Sequence, residues 1–344
     1  VEELVPEADS MDVAEVRLVR QVDLAHPADG YDPLVPVQGL ACWPSQPNYP
    51  QLDAAQAALL QSGHVNLESN WTDWPELYQN AFGKPLPKVV LKRGVDFDKV
   101  IFGISAGGVQ QLCPQLVARS PAMQASCTYV KTAATQAYQV WLTKDIDHLG
   151  WQDFGRDHQE PVLTGFSEPF DTWGPMDQVL CREAWPPGNA PKQVSYFCSA
   201  LPAKDYPPPG DHAYPVRMAA QVKASAVNQL KHHIHALWPA VATVADFDWP
   251  TLYDPGGATG EKRFDSQYWR ANVDPSERYV LSVVNSTQHR LATDGTGFRN
   301  LYVTGDWIKT GINAGCVEAA TMAGMQTSRA ISGYPQAIAG TKDV

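Results

Sequence analysis

The sequence predicts an α/β fold in which two stretches of alternating strands and helices flank a β-rich insert. Three observations carry that prediction. Short apolar runs bounded by turn residues, FDKVIFGIS (97–105) and LYVT (301–304), read as buried strands, and each is followed by a helical pattern. The middle of the chain carries different runs, TQAYQVWLTK (135–144), PVLTGFSEPF (161–170) and QVSYFCSAL (193–201), which read as strands of a mixed or antiparallel sheet. Long proline-rich connections such as AWPPGNAP and PAKDYPPPGDHAYP join them. Strand and helix then return at the end of the chain. The expected organisation is one discontinuous domain, 1–110 and 280–344, interrupted by a mixed-sheet α+β domain, 111–279.

The elements follow in order. VAEVRLVRQVDL (13–24) alternates with period two and predicts a strand. DPLVPVQGLACWPSQPNYP (32–50) is rich in proline and predicts an irregular loop. LDAAQAALLQSG (52–63) predicts a helix closed by Gly63. NWTDWPELY (70–78) opens a helix, with Asp73 as its cap and Pro75 in its first turn. GVQQLCPQLVA (108–118) and MAAQVKASAVNQLKHHIHALWP (218–239) predict helices, the latter from apolar residues at every third or fourth place. RYVLSVV (278–284) predicts a strand, and 301–331 the last strand and helix.

Composition bounds the function. The chain has 344 residues, 44% hydrophobic and 18% charged, which suits a globular protein with a substantial core. A formal net charge of −11 argues against non-specific binding to nucleic acid or to an anionic membrane, since both want a basic face. No apolar run approaches the roughly 18 residues of a spanning helix. Six cysteines, none in C-x-x-C spacing, point to a reduced, cytoplasmic protein without structural zinc. A start at Val1 without an apolar signal core leads to the expectation of a fragment or a processed subunit.

The most informative stretch is NLYVTGDWIKTGINAGCVEAATMAGM (300–325). A strand end fixes the loop, and a carboxylate there can accept hydrogen bonds from sugar or ribityl hydroxyls. Glycines let backbone approach a ligand closely. The start of the following helix offers free N–H groups and partial positive charge to an electron-rich edge. This stretch resembles the C-terminal flavin motif of the amine oxidase and phytoene desaturase superfamily, FAD proteins with a glutathione-reductase-like fold. QYWRANVDPSERYVLSV (267–283) and FDKVIFGIS are similar to the same group.

The resemblance implies a partial FAD-binding domain with an inserted substrate domain. It implies hydride transfer from a C–N or C–C bond of an organic substrate, amine or polyene-like, to FAD. By motif, Asp306 would bind the ribityl or pyrophosphate portion, with Gly305 permitting approach. The backbone of Ala314, Gly315 and Cys316, next to Asn313, would meet the flavin pyrimidine edge. Trp307 would pack near the ring system, and Tyr268 and Trp269 would wall the substrate pocket. Cys316 reads as a small packed residue rather than a covalent flavin link. Lys309 does not match the position of the lysine found in the amine oxidases. The family's G-x-G-x-x-G is absent from the chain; Gly103, Gly107 and Gly108 have the wrong spacing. The expectation is therefore that a missing N-terminal segment or a second chain carries the FAD-pyrophosphate site. A non-catalytic subunit that retains the fold is a further reading.

Two other constellations compete. Gly103-Ile-Ser105-Ala-Gly107 matches G-x-S-x-G between a strand and a helix, the context of a nucleophile elbow. A serine hydrolase would then draw on Asp254 and His289, yet no His-Gly-Gly-Gly oxyanion segment precedes Ser105. His232, His233 and His235 invite a metal reading, but without a carboxylate at zincin spacing they read as a basic helix end, and no metal is expected. The dense aromatics, including Trp141, Trp151, Trp173 and Tyr196, read mainly as core.

Overall fold

The strand predicted from residue 13 forms over Val13–Val19 and is the middle strand of an antiparallel sheet, between Glu3–Pro6 and Lys88–Lys92. The computed structural model describes residues 1–151, 162–202 and 206–341. It is a mixed α/β structure with several small sheets. The chain divides into two units, Val1–Asp23 with Ala55–Ala134 and Val273–Val344, and Leu24–Ala54 with Thr135–Asn272. The boundaries expected after 110 and before 280 thus lie at Ala134/Thr135 and Asn272/Val273, and 24–54 joins the insert.

In the first unit, Leu301–Val303 pairs in parallel with Val100–Phe102. These are the two short apolar runs of the sequence, and Leu301, Val303 and Phe102 are buried with Leu4, Val13, Leu116 and Ile308. The final helix, Val317–Ser332, turns Ala319, Met322, Ala323 and Thr327 inward, the spacing of one helical face. Its Thr327 hydroxyl meets that of Thr293 at 2.8 Å, and Thr293 donates to Val303 O at 2.9 Å, so helix and strand are joined through polar contacts. Asn300 sits just before the strand. Its side chain accepts from Val13 N at 2.8 Å and donates to Val13 O at 3.0 Å, which ties the sheet strand to the parallel pair.

Local departures from expectation have simple causes. The helix predicted over 108–118 is two helices, Ala106–Leu112 and Pro114–Arg119, because Pro114 has no N–H to continue the ladder. Helix Trp74–Phe82 begins at Asp73 with Pro75 in its first turn, but the Asp73 side chain caps nothing; Thr72 Oγ1 accepts from Trp74 N at 3.3 Å instead. Of RYVLSVV only Tyr279–Val280 is strand, paired with Thr132–Ala133.

The second unit holds an antiparallel sheet in the order Tyr268–Asn272, Thr135–Leu142, Gln193–Ala200, Thr172–Pro175. One face packs on helix Tyr214–His232: the Tyr138 hydroxyl donates to Gln229 Oε1 at 2.7 Å, and the Tyr138 ring stacks on Phe197 at 4.6 Å. The strand expected over 161–170 is replaced by Thr172–Pro175. Residues 163 and 167 form only isolated bridges, and Pro161 lies outside the described residues. The supposed loop 32–50 contains a hairpin, Val35–Val37 with Leu40–Cys42, turning at Gln38 and Gly39, whose φ values of 47° and 81° suit a two-residue hairpin turn.

Asp12 is 1% exposed and receives the Arg299 guanidinium, the Ser10 hydroxyl at 2.8 Å and Arg93 Nη1 at 3.1 Å. The hydrogen bond from Arg299 holds its carboxyl below the usual range. Its contribution to stability is therefore present above the ordinary carboxylate pKa and lost as pH falls through the depressed value. Asp12→Asn should flatten the acid limb of the stability profile, measured as urea midpoint against pH, and leave the shape of the neutral region unchanged.

Candidate functional site

Strand Leu301–Val303 ends in a turn that only glycine adopts easily: Gly305 has a φ of 117°. The chain then delivers Asp306, half-buried, followed by Trp307 and Ile308, 2% and 0% exposed. A second turn, 310–316, leads into the final helix. Asn313 has a φ of 53°, and its Oδ1 accepts from Thr310 N at 3.1 Å. Gly311 admits no side chain, because a Cβ there would lie 1.8 Å from Gly340 O.

The two turns are held together by Arg290, which is 3% exposed. Its Nη1 donates to Asp306 O at 2.6 Å and lies 3.5 Å from Ile308 O, and its Nη2 donates to Ser282 Oγ at 3.1 Å. Ser282 passes the connection on, donating to Asn313 O at 2.6 Å. The Tyr279 hydroxyl donates to Gly315 O, and its ring covers one side of Gly315, where a Cβ would approach the ring to 2.5 Å. The carbonyl side of the second turn is thus occupied. Among the described residues, the N–H groups of Ala314, Gly315, Cys316, Val317 and Glu318 have no hydrogen-bond partner. Cys316 is half-buried, and its sulfur accepts from Ala319 N at 3.4 Å, so it caps the helix.

The electrostatics oppose one another. Burial raises the Asp306 carboxyl above its ordinary range, and Arg290 offsets part of that. Burial lowers the Arg290 guanidinium, with Asp306 and Tyr279 acting against it. No ion pair holds the Asp306 carboxylate among the described residues. Arg290 Nε and Trp307 Nε1 are both buried donors without a partner among the described residues. Trp307 also contributes to the wall of a cavity of about 210 Å³, with Gly107, Val130, Lys131 and Arg278.

The expected site residues therefore divide. Gly305, Asp306, Trp307, Asn313, Ala314, Gly315 and Cys316 stand in two turns joined by one guanidinium. Tyr268 and Trp269 do not line a common pocket, because consecutive strand residues face opposite sides of a sheet. Trp269 lies on the helix-covered face, with Lys223 Nζ 4.9 Å from its ring and Phe264 at 5.6 Å. Tyr268 pairs with Gln139 on the other face and is 45% exposed.

Ser105 has φ −53° and ψ 153°, without the strain of a nucleophile elbow, and its hydroxyl donates to Arg278 O at 3.0 Å. His289 stacks on Tyr129 at 4.1 Å. Asp254 belongs to the other unit, where its carboxylate accepts from Gly256 N, Ala258 N and the Ser266 hydroxyl. His232 ends its helix, while His235 lies in the short helix Ile234–Ala236 beyond it. Sequence reasoning missed Arg290, Ser282 and Tyr279. The Tyr279 segment carried a family likeness, but nothing in the spacing around Arg290 marks it.

No family model matches the chain, and no curated protein matches it. Among solved structures it is similar to the crystal structure of an oxidoreductase from Methanosarcina mazei, at 13% identity and a TM-score of 0.37. The likeness covers 72% of this chain and 46% of that one, so the chain spans less than half of that protein's length. A likeness at this level assigns no family.

Arg290→Lys keeps the charge but loses the planar fork that reaches two carbonyls and a hydroxyl. It should lower stability by about 1–3 kcal/mol in urea unfolding, the range for losing buried hydrogen bonds to a charged group. Unchanged stability would mean the two turns hold without the clamp.

Proposed function

We propose that this chain is the flavin-facing, C-terminal portion of an FAD-dependent oxidoreductase of the amine oxidase or desaturase type. The observation that carries the reading is the pairing, through Arg290, of a strand-end carboxylate with a run of amides opening a helix, neither of which has an ionic or hydrogen-bond partner elsewhere among the described residues. The residues present fit one end of such a cofactor. The Asp306 carboxylate is available to accept hydrogen bonds from ribityl or ribose hydroxyls. The amides of 314–318 and the positive end of the helix suit an electron-rich heterocycle edge. The buried Trp307 Nε1 is a donor that lacks an acceptor among the described residues. Tyr279 fills one side of Gly315, so a ligand reaches this turn from its N–H side.

Bound FAD supplies a hydride acceptor for a C–N or C–C bond of an organic substrate, amine or polyene-like. The chain's own contribution is to hold the cofactor edge with Asp306 and the amides. The pyrophosphate grip lies outside this chain, on a preceding segment or a second chain. Two features support that part of the reading. Among the described residues strand Val100–Phe102 pairs only with Leu301–Val303, and its Ile101 is 56% exposed, an edge on which a further strand can add. A cytoplasmic location belongs to the same reading and rests on cysteine usage; no helix among the described residues is long and apolar enough to cross a membrane.

The test is a titration with FAD, followed by flavin absorption and fluorescence, of this chain together with the segment or partner carrying the dinucleotide fingerprint. Bound flavin is expected, with Asp306→Ala weakening binding about tenfold or more, as loss of hydrogen bonds to a charged group implies. A complex that stays colourless would overturn the reading. Flavin binding and activity indifferent to Asp306→Ala would favour a non-catalytic subunit.

A further inference from the structure

The second unit contains a half-buried carboxylate held by two indoles. Trp141 Nε1 and Trp185 Nε1 both donate to Glu183 Oε2, at 3.0 and 2.9 Å. The two indole rings meet edge to face, 6.0 Å apart at 63°, and Trp185 meets Tyr253 at 5.1 Å and 75°. The group is built on fixed backbone. Trp141 is part of strand Thr135–Leu142, on the face opposite the one that Tyr138 turns to the helix. Tyr253 N donates to Trp141 O at 2.7 Å, and the Gln38 side-chain amide donates to Glu183 O. Trp141, Glu183 and Trp185 are each partly open to solvent, and Tyr253 is 7% exposed.

Among the described residues no basic side chain pairs with Glu183. A partly desolvated carboxylate that has no basic partner among the described residues is costly to maintain. The two indoles meet the carboxylate with their positive N–H edges, which fixes the rings beside it, while the ring faces carry negative potential of the carboxylate's own sign. Tryptophan offers no lone pair, and one carboxylate is too few oxygens for a divalent ion. A weakly hydrated cation that can touch ring faces matches all of these features.

We propose that Trp141, Glu183, Trp185 and Tyr253 form a binding site for an alkylated ammonium group. The site lies wholly within the second unit and does not depend on the flavin reading. The whole chain, titrated with choline by calorimetry and by the shift of the choline methyl proton resonance, tests it. The control ligand is the uncharged carbon isostere, in which a tert-butyl group replaces trimethylammonium.

Choline should bind with an upfield methyl shift, and the isostere about tenfold more weakly. Glu183→Gln, which keeps shape and an acceptor for an indole, should weaken choline about tenfold without altering the far-ultraviolet circular dichroism. Trp185→Leu should remove the methyl shift. Equal binding of choline and the isostere, no methyl shift at millimolar choline, or full affinity in Glu183→Gln would overturn the assignment.

Discussion

Arg290 is a cation enclosed by the first unit, and the geometry of the candidate site depends on it. A buried guanidinium is tolerable only where its donors meet acceptors. Here two of its acceptors, Asp306 O and Ser282 Oγ, lie on different segments, and the serine extends the chain of bonds to Asn313 O. One side chain therefore couples the turn after the last strand to the turn before the last helix. Because the bonds are made to carbonyl oxygens, the N–H groups of Ala314 to Glu318 are left without a partner among the described residues, whereas those of 310–313 are taken by Asn313, Met322 and Thr310. The fixed loop and the unused donors have the same origin.

The rest of the first unit supports this arrangement from below. Asn300 anchors the strand that carries the site to the antiparallel sheet through both polar groups of Val13. Thr293 and Thr327 link the same strand to the final helix. Apolar packing of Leu301, Val303, Trp307, Ile308 and Ala323 buries the backbone at the strand end. Burial then has an electrostatic consequence. It pushes the Asp306 carboxyl up and the Arg290 guanidinium down, each partly restrained by the other. A pair poised in this way responds to a ligand that donates hydrogen bonds to the carboxylate, since such bonds favour the charged form.

Much of this was legible in the sequence, for identifiable reasons. Leu301–Val303 and Val100–Phe102 stood out because a buried parallel pair needs unbroken apolar runs, and the small-residue helix after Cys316 has a clear face. Tyr268 and Trp269 were expected to wall one pocket, yet period-two alternation puts neighbours on a strand on opposite faces, and the two residues stand so here. Other features depend on long-range packing. Arg290 precedes Asp306 by a stretch with no periodic signal, and only the folded chain shows that it is enclosed. Thr172–Pro175, rather than 161–170, pairs in the second sheet because register is set by its partner, Gln193–Ala200. Asp73 marks a helix start correctly, yet the cap bond belongs to Thr72.

The central claim is that the amides opening the final helix are donors held in readiness for a ligand. Residue-resolved hydrogen exchange of this chain together with the proposed fingerprint-bearing segment or partner, with and without FAD, tests this most directly. The account predicts that flavin slows exchange at Ala314 to Glu318 more than elsewhere in the helix, and that Arg290→Lys speeds exchange there without flavin. Unaltered exchange at those five amides under saturating FAD would contradict it.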